Sequence, residues 1–160
     1  MIIILMGVSG AGKTAIGRLL AEQLSWTFYD ADDFHPPSNV DKMKHGEALN
    51  DADRRPWLEA LRALVRATLD SDSNAVLACS ALKSEYRDYL LIDTRVKLVY
   101  LKGSFSLIQE RLRHRNGHFM SATLLESQFQ ALEEPSEGVT VEISGTPDEI
   151  VQTVRARLGI

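Results

Sequence analysis

Short apolar runs recur along the chain, and the intervals between them leave room for a helix. The runs cover residues 2–6, 26–29, 75–79, 96–101 and 139–143. They are rich in β-branched and aromatic residues, which is typical of buried strands. We therefore predict a strand at each run.

Between these runs, apolar side chains recur every three or four residues. The repeat includes Ile16, Leu19, Leu20 and Leu24; Leu58, Leu61, Val65 and Leu69; Phe105, Ile108 and Leu112; Leu125, Phe129 and Leu132; and Ile150, Val151, Val154 and Leu158. Such spacing predicts helices that bury one face against a sheet. Strands that alternate with helices predict an α/β fold, with a mostly parallel sheet and helices on both faces. Because ligands of such folds bind at the carboxyl ends of strands, we expect functional residues directly after strands.

Length and composition narrow the class of protein further. The 160 residues contain no repeat, low-complexity tract or linker-like stretch, so we predict a single domain over residues 1–160. No apolar run approaches the ~18 residues of a membrane-spanning helix, and no basic flank precedes the first run, so we expect a soluble, cytoplasmic protein without a membrane partner. A net charge of −4 disfavours nucleic acid as a partner. The lone Cys79 lies in an apolar run, where we expect it to pack.

The first strand leads directly into a phosphate-binding loop. The segment Gly7-Val8-Ser9-Gly10-Ala11-Gly12-Lys13-Thr14 matches the pattern G-x-x-x-x-G-K-[ST] in full, and a helical repeat follows it. We expect the loop backbone, with Gly7, Ser9, Gly10, Ala11 and Gly12, to hold the phosphates of ATP. Lys13 would bridge the terminal phosphates, and the Thr14 hydroxyl would bind Mg²⁺. The alternative is a glycine-rich turn with a solvated lysine.

Carboxylates follow the second strand, whereas the inner strand at residues 75–79 continues into Ser80-Ala81-Leu82 without one. Asp30 and Asp32 are separated by one residue, so in extended backbone both side chains would point to the same side. We assign magnesium support to Asp30 and acceptance of the substrate proton to Asp32. The alternative is an Asp-rich turn that caps the next helix.

Several further motifs carry a family resemblance. They are Asp30-Ala31-Asp32-Asp33-Phe34-His35-Pro36, Asn39 with Lys42-Met43, Leu49-Asn50-Asp51, Asp53-Arg54, Pro56-Trp57-Leu58, Cys79-Ser80-Ala81-Leu82-Lys83, Tyr86-Arg87-Asp88, Tyr100-Leu101-Lys102-Gly103 and Gly117-His118-Phe119. Together with the loop, they make the chain resemble the gluconate kinases, small P-loop enzymes that make 6-phosphogluconate from gluconate and ATP. The resemblance extends from the first strand to about Pro135. Shikimate kinases share the architecture, but the middle motifs resemble gluconate kinases.

The resemblance implies a five-stranded parallel sheet in the order 2-3-1-4-5 and a mobile lid near residues 115–123. It also implies ATP as the nucleotide, and such kinases are often homodimers. The turn Gly145-Thr146-Pro147 resembles the place where these kinases receive adenine, so Thr146 and Pro147 are candidates for nucleotide contact.

Gluconate has a carboxylate at one end and the reacting hydroxyl at the other, so its site needs cations remote from Lys13. Arg54, Lys83 and Arg87 are the candidates for the carboxylate, and the residues leave open which of them pairs with it. Candidates for further substrate contacts are His35, Asn50 and, in the lid motif, His118. The alternatives are surface charge for the cations and a turn residue for His35. Trp57 and Tyr86 are expected to pack.

Arg111 and Arg115 are spaced by one helical turn beside the expected lid. They could clamp the phosphates and neutralise charge on the transferred phosphoryl group. The alternative is a basic helix end that complements its own dipole.

Two rival functions remain at this point. A shikimate or adenylylsulfate type of kinase would differ in its acceptor pocket. A nucleotide-binding regulatory protein is disfavoured, because the chain has no N-K-x-D guanine-reading motif and no inner-strand carboxylate.

Overall fold

The computed structural model describes residues 1–115 and 122–160, with only the backbone of Ala122. Five strands and seven helices occupy this part of the chain, and a short 3₁₀ helix spans Ala31–Phe34. In chain order they are β1 (Ile2–Met6), α1 (Lys13–Leu24), β2 (Thr27–Asp30), α2 (Pro37–Lys44), α3 (Asp51–Asp70), β3 (Ala75–Ala78), α4 (Ser84–Leu90), β4 (Val96–Lys102), α5 (Phe105–Arg113), α6 (Ala122–Ala131), β5 (Val139–Glu142) and α7 (Pro147–Leu158).

The strands form one parallel sheet in the order β2-β3-β1-β4-β5. Strand β1 lies in the middle, where Ile4 is opposite Leu77 of β3 and Leu98 of β4. The order that the family resemblance implied is therefore confirmed. The phosphate-binding loop follows this central strand, so it lies at the middle of the carboxyl edge of the sheet.

The two faces of β1 contribute to two separate hydrophobic cores, because successive side chains of a strand alternate between faces. Ile2, Ile4 and Met6 pack with side chains of α3 and α4. Ile3 and Leu5 pack with side chains of α1, α5 and α7. Helices thus cover both faces, as predicted. None of the helices within the described residues has the length and hydrophobicity that a membrane span requires.

Helix α2 was not predicted from hydrophobic spacing, because none of its side chains is both apolar and buried. Asn39 is its only buried residue. Helix α3 begins earlier than the apolar repeat indicated, since Asn50 and Asp53 form a reciprocal capping box at its start. Both helices border a cleft at the carboxyl edge of the sheet.

Candidate active site

A cleft of about 490 Å³ opens above the carboxyl ends of β1, β2 and β3. The phosphate-binding loop forms one wall, and the 3₁₀ helix, α3 and the start of α4 form the opposite side. Predicted residues that line the cleft are Ser9, Gly10, Gly12, Lys13, Thr14, Asp30, Asp32, His35, Arg54, Lys83 and Arg115. The structure therefore brings most of the predicted residues to one place.

The backbone of the loop has a conformation that requires glycine. Gly10 and Gly12 have φ angles of +82° and +90°, a region that other residues rarely adopt. At Gly10 a Cβ would also lie only 2.9 Å from Cγ of Leu112. The N–H of Ser9 donates to Oε1 of Gln128 on α6 at 2.7 Å, a contact between residues 119 positions apart that no local pattern predicts. The loop thus curls ahead of α1 as a phosphate-binding loop does.

The Lys13 side chain lies over the loop. Its ammonium donates to the carbonyl oxygens of Gly7 at 2.9 Å and Val8 at 3.0 Å. Burial lowers the pKa of Lys13, and the carboxylates of Asp32 and Asp30 act in the opposite direction. Lys13 is therefore a desolvated cation between the loop and the two carboxylates, a place where charge interactions are strong.

Thr14 and Asp30 meet at the bottom of the cleft. The Thr14 hydroxyl donates to Oδ2 of Asp30 at 2.9 Å. Magnesium prefers hydroxyl, carboxylate and phosphate oxygens, so this pair fits its chemistry. The described residues contain no group of three or more His, Cys, Asp or Glu that could hold a metal. An ion bound here would therefore take its other ligands from phosphate and water.

The prediction of extended backbone through Asp32 was wrong. Strand β2 ends at Asp30, and its Oδ1 accepts a hydrogen bond from the Asp32 N–H at 3.0 Å, which caps the 3₁₀ helix. Asp32 lies in the cleft all the same. Burial raises the pKa of Asp32, as does Asp30, while His35 and Lys13 oppose the shift. The Asp32 carboxylate is thus a better proton acceptor than an ordinary aspartate.

His35 borders Asp32 and stacks on the ring of Trp57, with 4.6 Å between ring centroids and 8° between planes. The indole Nε1 of Trp57 in turn donates to the carbonyl oxygen of Ala31 at 2.7 Å. Trp57 was predicted to pack only. It is indeed buried, but its ring also positions a cleft residue.

A cluster of hydrogen-bond donors lies at the far side of the cleft, formed by Arg54, Lys83 and Tyr86 around the carboxylate of Asp51. The Tyr86 hydroxyl donates to Oδ1 of Asp51 at 2.6 Å, and the Lys83 ammonium does so at 3.2 Å. The Arg54 guanidinium lies 3.7 Å from the same oxygen and donates to the Tyr86 hydroxyl at 3.2 Å. The hydrogen bond from Tyr86 lowers the pKa of Asp51, with Lys83 adding to the effect. Tyr86 was predicted only to pack, yet its hydroxyl belongs to this cluster.

Two predicted substrate residues do not reach the cleft. The side-chain oxygen of Asn50 accepts from the Asp53 N–H at 2.8 Å, as the cap of α3. The Arg87 side chain is 2% exposed, and its guanidinium donates to the carbonyl oxygens of Ala81 and Leu82 and to Glu137. Arg87 thus stabilises the loop after β3 through the backbone carbonyls of that loop.

A second cavity of about 430 Å³ lies on the other side of the loop. Arg111, Arg115, Gly145 and Pro147 line it together with the loop glycines. Arg111 donates to the carbonyl oxygen of Ile143, and Thr146 forms the cap of α7 with Glu149. Arg115 borders both cavities, which places it beside the loop on the described edge of the predicted lid. His118, and residues 116–121 of that lid, lie outside the described residues.

The sequence is similar to those of kinases in a known family. The family described as shikimate kinase matches residues 9–157. A probable gluconokinase of Xenopus tropicalis is 45% identical over 152 residues, which cover 85% of this chain and 80% of that protein. The thermoresistant gluconokinase of Escherichia coli (strain K12) is 45% identical over 135 residues, with 84% and 77% covered.

Solved structures give the same result. A gluconokinase from Sinorhizobium meliloti 1021 superposes with a TM-score of 0.87 at 41% identity, covering 98% of this chain and 90% of that one. A shikimate kinase from Aquifex aeolicus, at 20% identity and a TM-score of 0.66, shares the fold.

Proposed function

This chain belongs to the gluconokinases, within the shikimate kinase family of P-loop kinases, and on that basis we propose that it phosphorylates D-gluconate with ATP to give 6-phospho-D-gluconate. Residues 1–160 would act as one kinase domain. The observation that carries the proposal is the content of a single cleft. The cleft is lined by the phosphate-binding loop, by the Thr14–Asp30 pair and by Asp32, whose pKa is raised. At its far side lie the hydrogen-bond donors that converge on the carboxylate of Asp51.

Kinases of this family use ATP, typically with Mg²⁺. The loop residues Gly10 to Thr14 would hold the phosphates, and Arg111, Gly145 and Pro147 would line the site of the nucleoside. Thr14 and Asp30 would hold Mg²⁺, which neutralises charge on the phosphates. Lys13 would donate to phosphate oxygens in place of the carbonyl oxygens of Gly7 and Val8.

The cluster of Arg54, Lys83 and Tyr86 is the proposed site of the gluconate carboxylate. Its donors already converge on one carboxylate oxygen, that of Asp51. An arginine, a lysine and a phenol together satisfy a carboxylate by charge and by hydrogen bonds. The cluster therefore supports an acceptor with an anionic end, and it would orient the opposite end of that acceptor towards the loop.

The reaction itself requires a proton acceptor and charge neutralisation. Asp32 would take the proton of the gluconate 6-hydroxyl. The hydroxyl oxygen then forms a bond to the γ-phosphorus, while the bond from that phosphorus to the ADP oxygen breaks. Burial and Asp30 raise the pKa of Asp32, which suits this role. Lys13, Arg111 and Arg115 would neutralise the charge on the transferred group.

The test is a panel of acceptors supplied with ATP and Mg²⁺, with ADP release as the readout. Gluconate, shikimate, the uncharged polyol glucitol and no acceptor should be compared. We expect ADP release that depends on gluconate, with kcat/KM at least about 100-fold above that for glucitol, because glucitol has no carboxylate for the cluster to bind. The Lys13→Ala variant should lose both nucleotide binding and rate. Turnover of shikimate with none of gluconate would refute the proposal.

A further inference from the structure

Asn39 is a buried polar residue for which the proposed mechanism gives no role. Its side chain is 2% exposed on a helix whose other residues are not buried. The amide nitrogen Nδ2 lies 2.8 Å from the carbonyl oxygen of Asp53 and 3.3 Å from Nδ1 of His35. Buried amide groups usually have their hydrogen bonds satisfied, so we interpret both contacts as hydrogen bonds of the Asn39 side chain.

These two partners fix which atoms donate. The carbonyl of Asp53 can only accept, so it must face the NH₂ group of Asn39 and not the amide oxygen. The second hydrogen of that NH₂ group then points to Nδ1 of His35. Because an amide nitrogen cannot accept, Nδ1 must be the unprotonated nitrogen of the ring. A neutral His35 therefore carries its proton on Nε2.

The ring is also held in place and uncharged. Stacking on Trp57 fixes its plane, and Trp57 is itself bonded to Ala31. Burial lowers the pKa of His35, Asp32 opposes that shift, and Arg54 adds to it. An uncharged ring leaves Asp32 without a second cation beside it, which preserves the basicity of that carboxylate.

We propose that Asn39 is a positioning residue that holds His35 as the neutral tautomer protonated on Nε2, so that the imidazole offers a hydrogen-bond donor to a hydroxyl of the acceptor. The identity of that acceptor rests on the proposed function. A donor N–H suits a polyhydroxylated chain, whose hydroxyl oxygens accept hydrogen bonds.

The structural alternative is that Asn39 only fastens α2 to α3. The ion pair between Lys42 and Asp53, with 2.9 Å between Nζ and Oδ2, does the same at the next turn without contacting His35. Lys42→Met is therefore the matched control, because it loosens the same junction and leaves the Asn39–His35 contact intact.

The first experiment is long-range ¹H–¹⁵N NMR of the imidazoles in the full chain without ligands, with His35 assigned by its loss in His35→Gln. We expect a proton on Nε2 and none on Nδ1 near neutral pH. In Asn39→Asp, a carboxylate faces Nδ1, so the pKa of His35 should rise by about one unit or more. Above that pKa, the proton should reside on Nδ1.

The second experiment is steady-state kinetics of the same variants above the His35 titration. Asn39→Asp should raise KM for the acceptor about tenfold, the effect of one lost hydrogen bond, with kcat largely kept. Lys42→Met should keep both the tautomer and KM.

A wild-type His35 protonated on Nδ1 would overturn the inference, and so would an unchanged tautomer in Asn39→Asp or an equal rise in KM in Lys42→Met. The NMR needs no acceptor, so a failure of gluconate turnover alone contradicts the proposed function and not the tautomer.

Discussion

The hydroxyl of Thr14 donates to the carboxylate of Asp30 across 2.9 Å and so joins the first turn of α1 to the end of β2. The other oxygen of Asp30 caps the 3₁₀ helix that carries Asp32. One carboxylate thus links the proposed magnesium site to the proposed proton acceptor. The inner strand β3 leads into Cys79 and Ser80 without a carboxylate, so Asp30 on the neighbouring strand is the acid within reach of Thr14.

Replacement of Asp32 by asparagine should separate activity from stability. Turnover should fall about 100-fold or more, because the proton acceptor is lost, while nucleotide binding is kept. The raised pKa of Asp32 means that its favourable contribution is present at low pH and is lost as pH rises through the folded-state pKa. Without magnesium at pH 7, Asp32→Asn should therefore be at least as stable as wild type in thermal unfolding. A normal turnover would remove Asp32 from the mechanism.

If the cluster of Arg54, Lys83 and Tyr86 binds the gluconate carboxylate, loss of either cation should raise KM for gluconate. Lys83→Met and Arg54→Met should each raise KM for gluconate about tenfold or more, since a charge-assisted hydrogen bond is lost. Arg55→Met is the control, because Arg55 is 80% exposed and pairs only loosely with Glu59 at 3.7 Å. Equal effects at Arg54 and Arg55 would argue against the cluster as the carboxylate site.

Arg87 should matter for stability more than for substrate affinity. Its guanidinium is the donor to two carbonyls of the loop after β3, where Ala81 has a φ of +42°. Arg87→Met should lower the free energy of unfolding by about 1–3 kcal/mol, because a buried acceptor loses its partner. Glu137→Gln keeps those backbone contacts and should cost less. A large rise in KM without loss of stability would instead restore Arg87 as a substrate residue.

The half-buried, neutral His35 predicts a contribution to acid sensitivity. Its pKa is lowered in the folded protein, so its contribution to stability is present above the unfolded-state pKa and lost as pH falls through the folded one. Between pH 7 and pH 5, His35→Gln should lose less free energy of unfolding than wild type, as denaturant titrations would measure. The control is His45→Gln, at an exposed position. Parallel pH profiles of wild type and His35→Gln would contradict this interpretation.

The sequence predicted well those features that depend on local pattern. The loop from Gly7 to Thr14 follows from a motif, and the five strands follow from short apolar runs. The prediction that all five strands are buried was wrong for β2 and β5, because they lie at the edges of the sheet and most of their residues are only partly buried or exposed. The order of strands came from the family resemblance, because hydrophobic spacing does not specify which strands pair.

Features that depend on tertiary contacts were not predictable in the same way. Lys83 and Arg87 are four positions apart, which is the spacing of one helical turn. However, Lys83 precedes α4 and has an extended backbone, so the two side chains do not lie on one helix face. Asp32 reaches the cleft through a 3₁₀ helix that no hydrophobic pattern signals. Asn39 stood in a recognised motif, yet its role became visible only with His35 and Asp53 beside it.

The proposed orientation of gluconate in the cleft is tested by the position of the phosphoryl group in the product made from ATP, Mg²⁺ and gluconate. Phosphorus–proton correlation NMR identifies the carbon that carries it. With the carboxylate held by Arg54, Lys83 and Tyr86 and the far hydroxyl beside Asp32, we expect a correlation to the methylene protons of C6. A phosphoryl group on another carbon, or ADP formed without any phosphorylated gluconate, would contradict it.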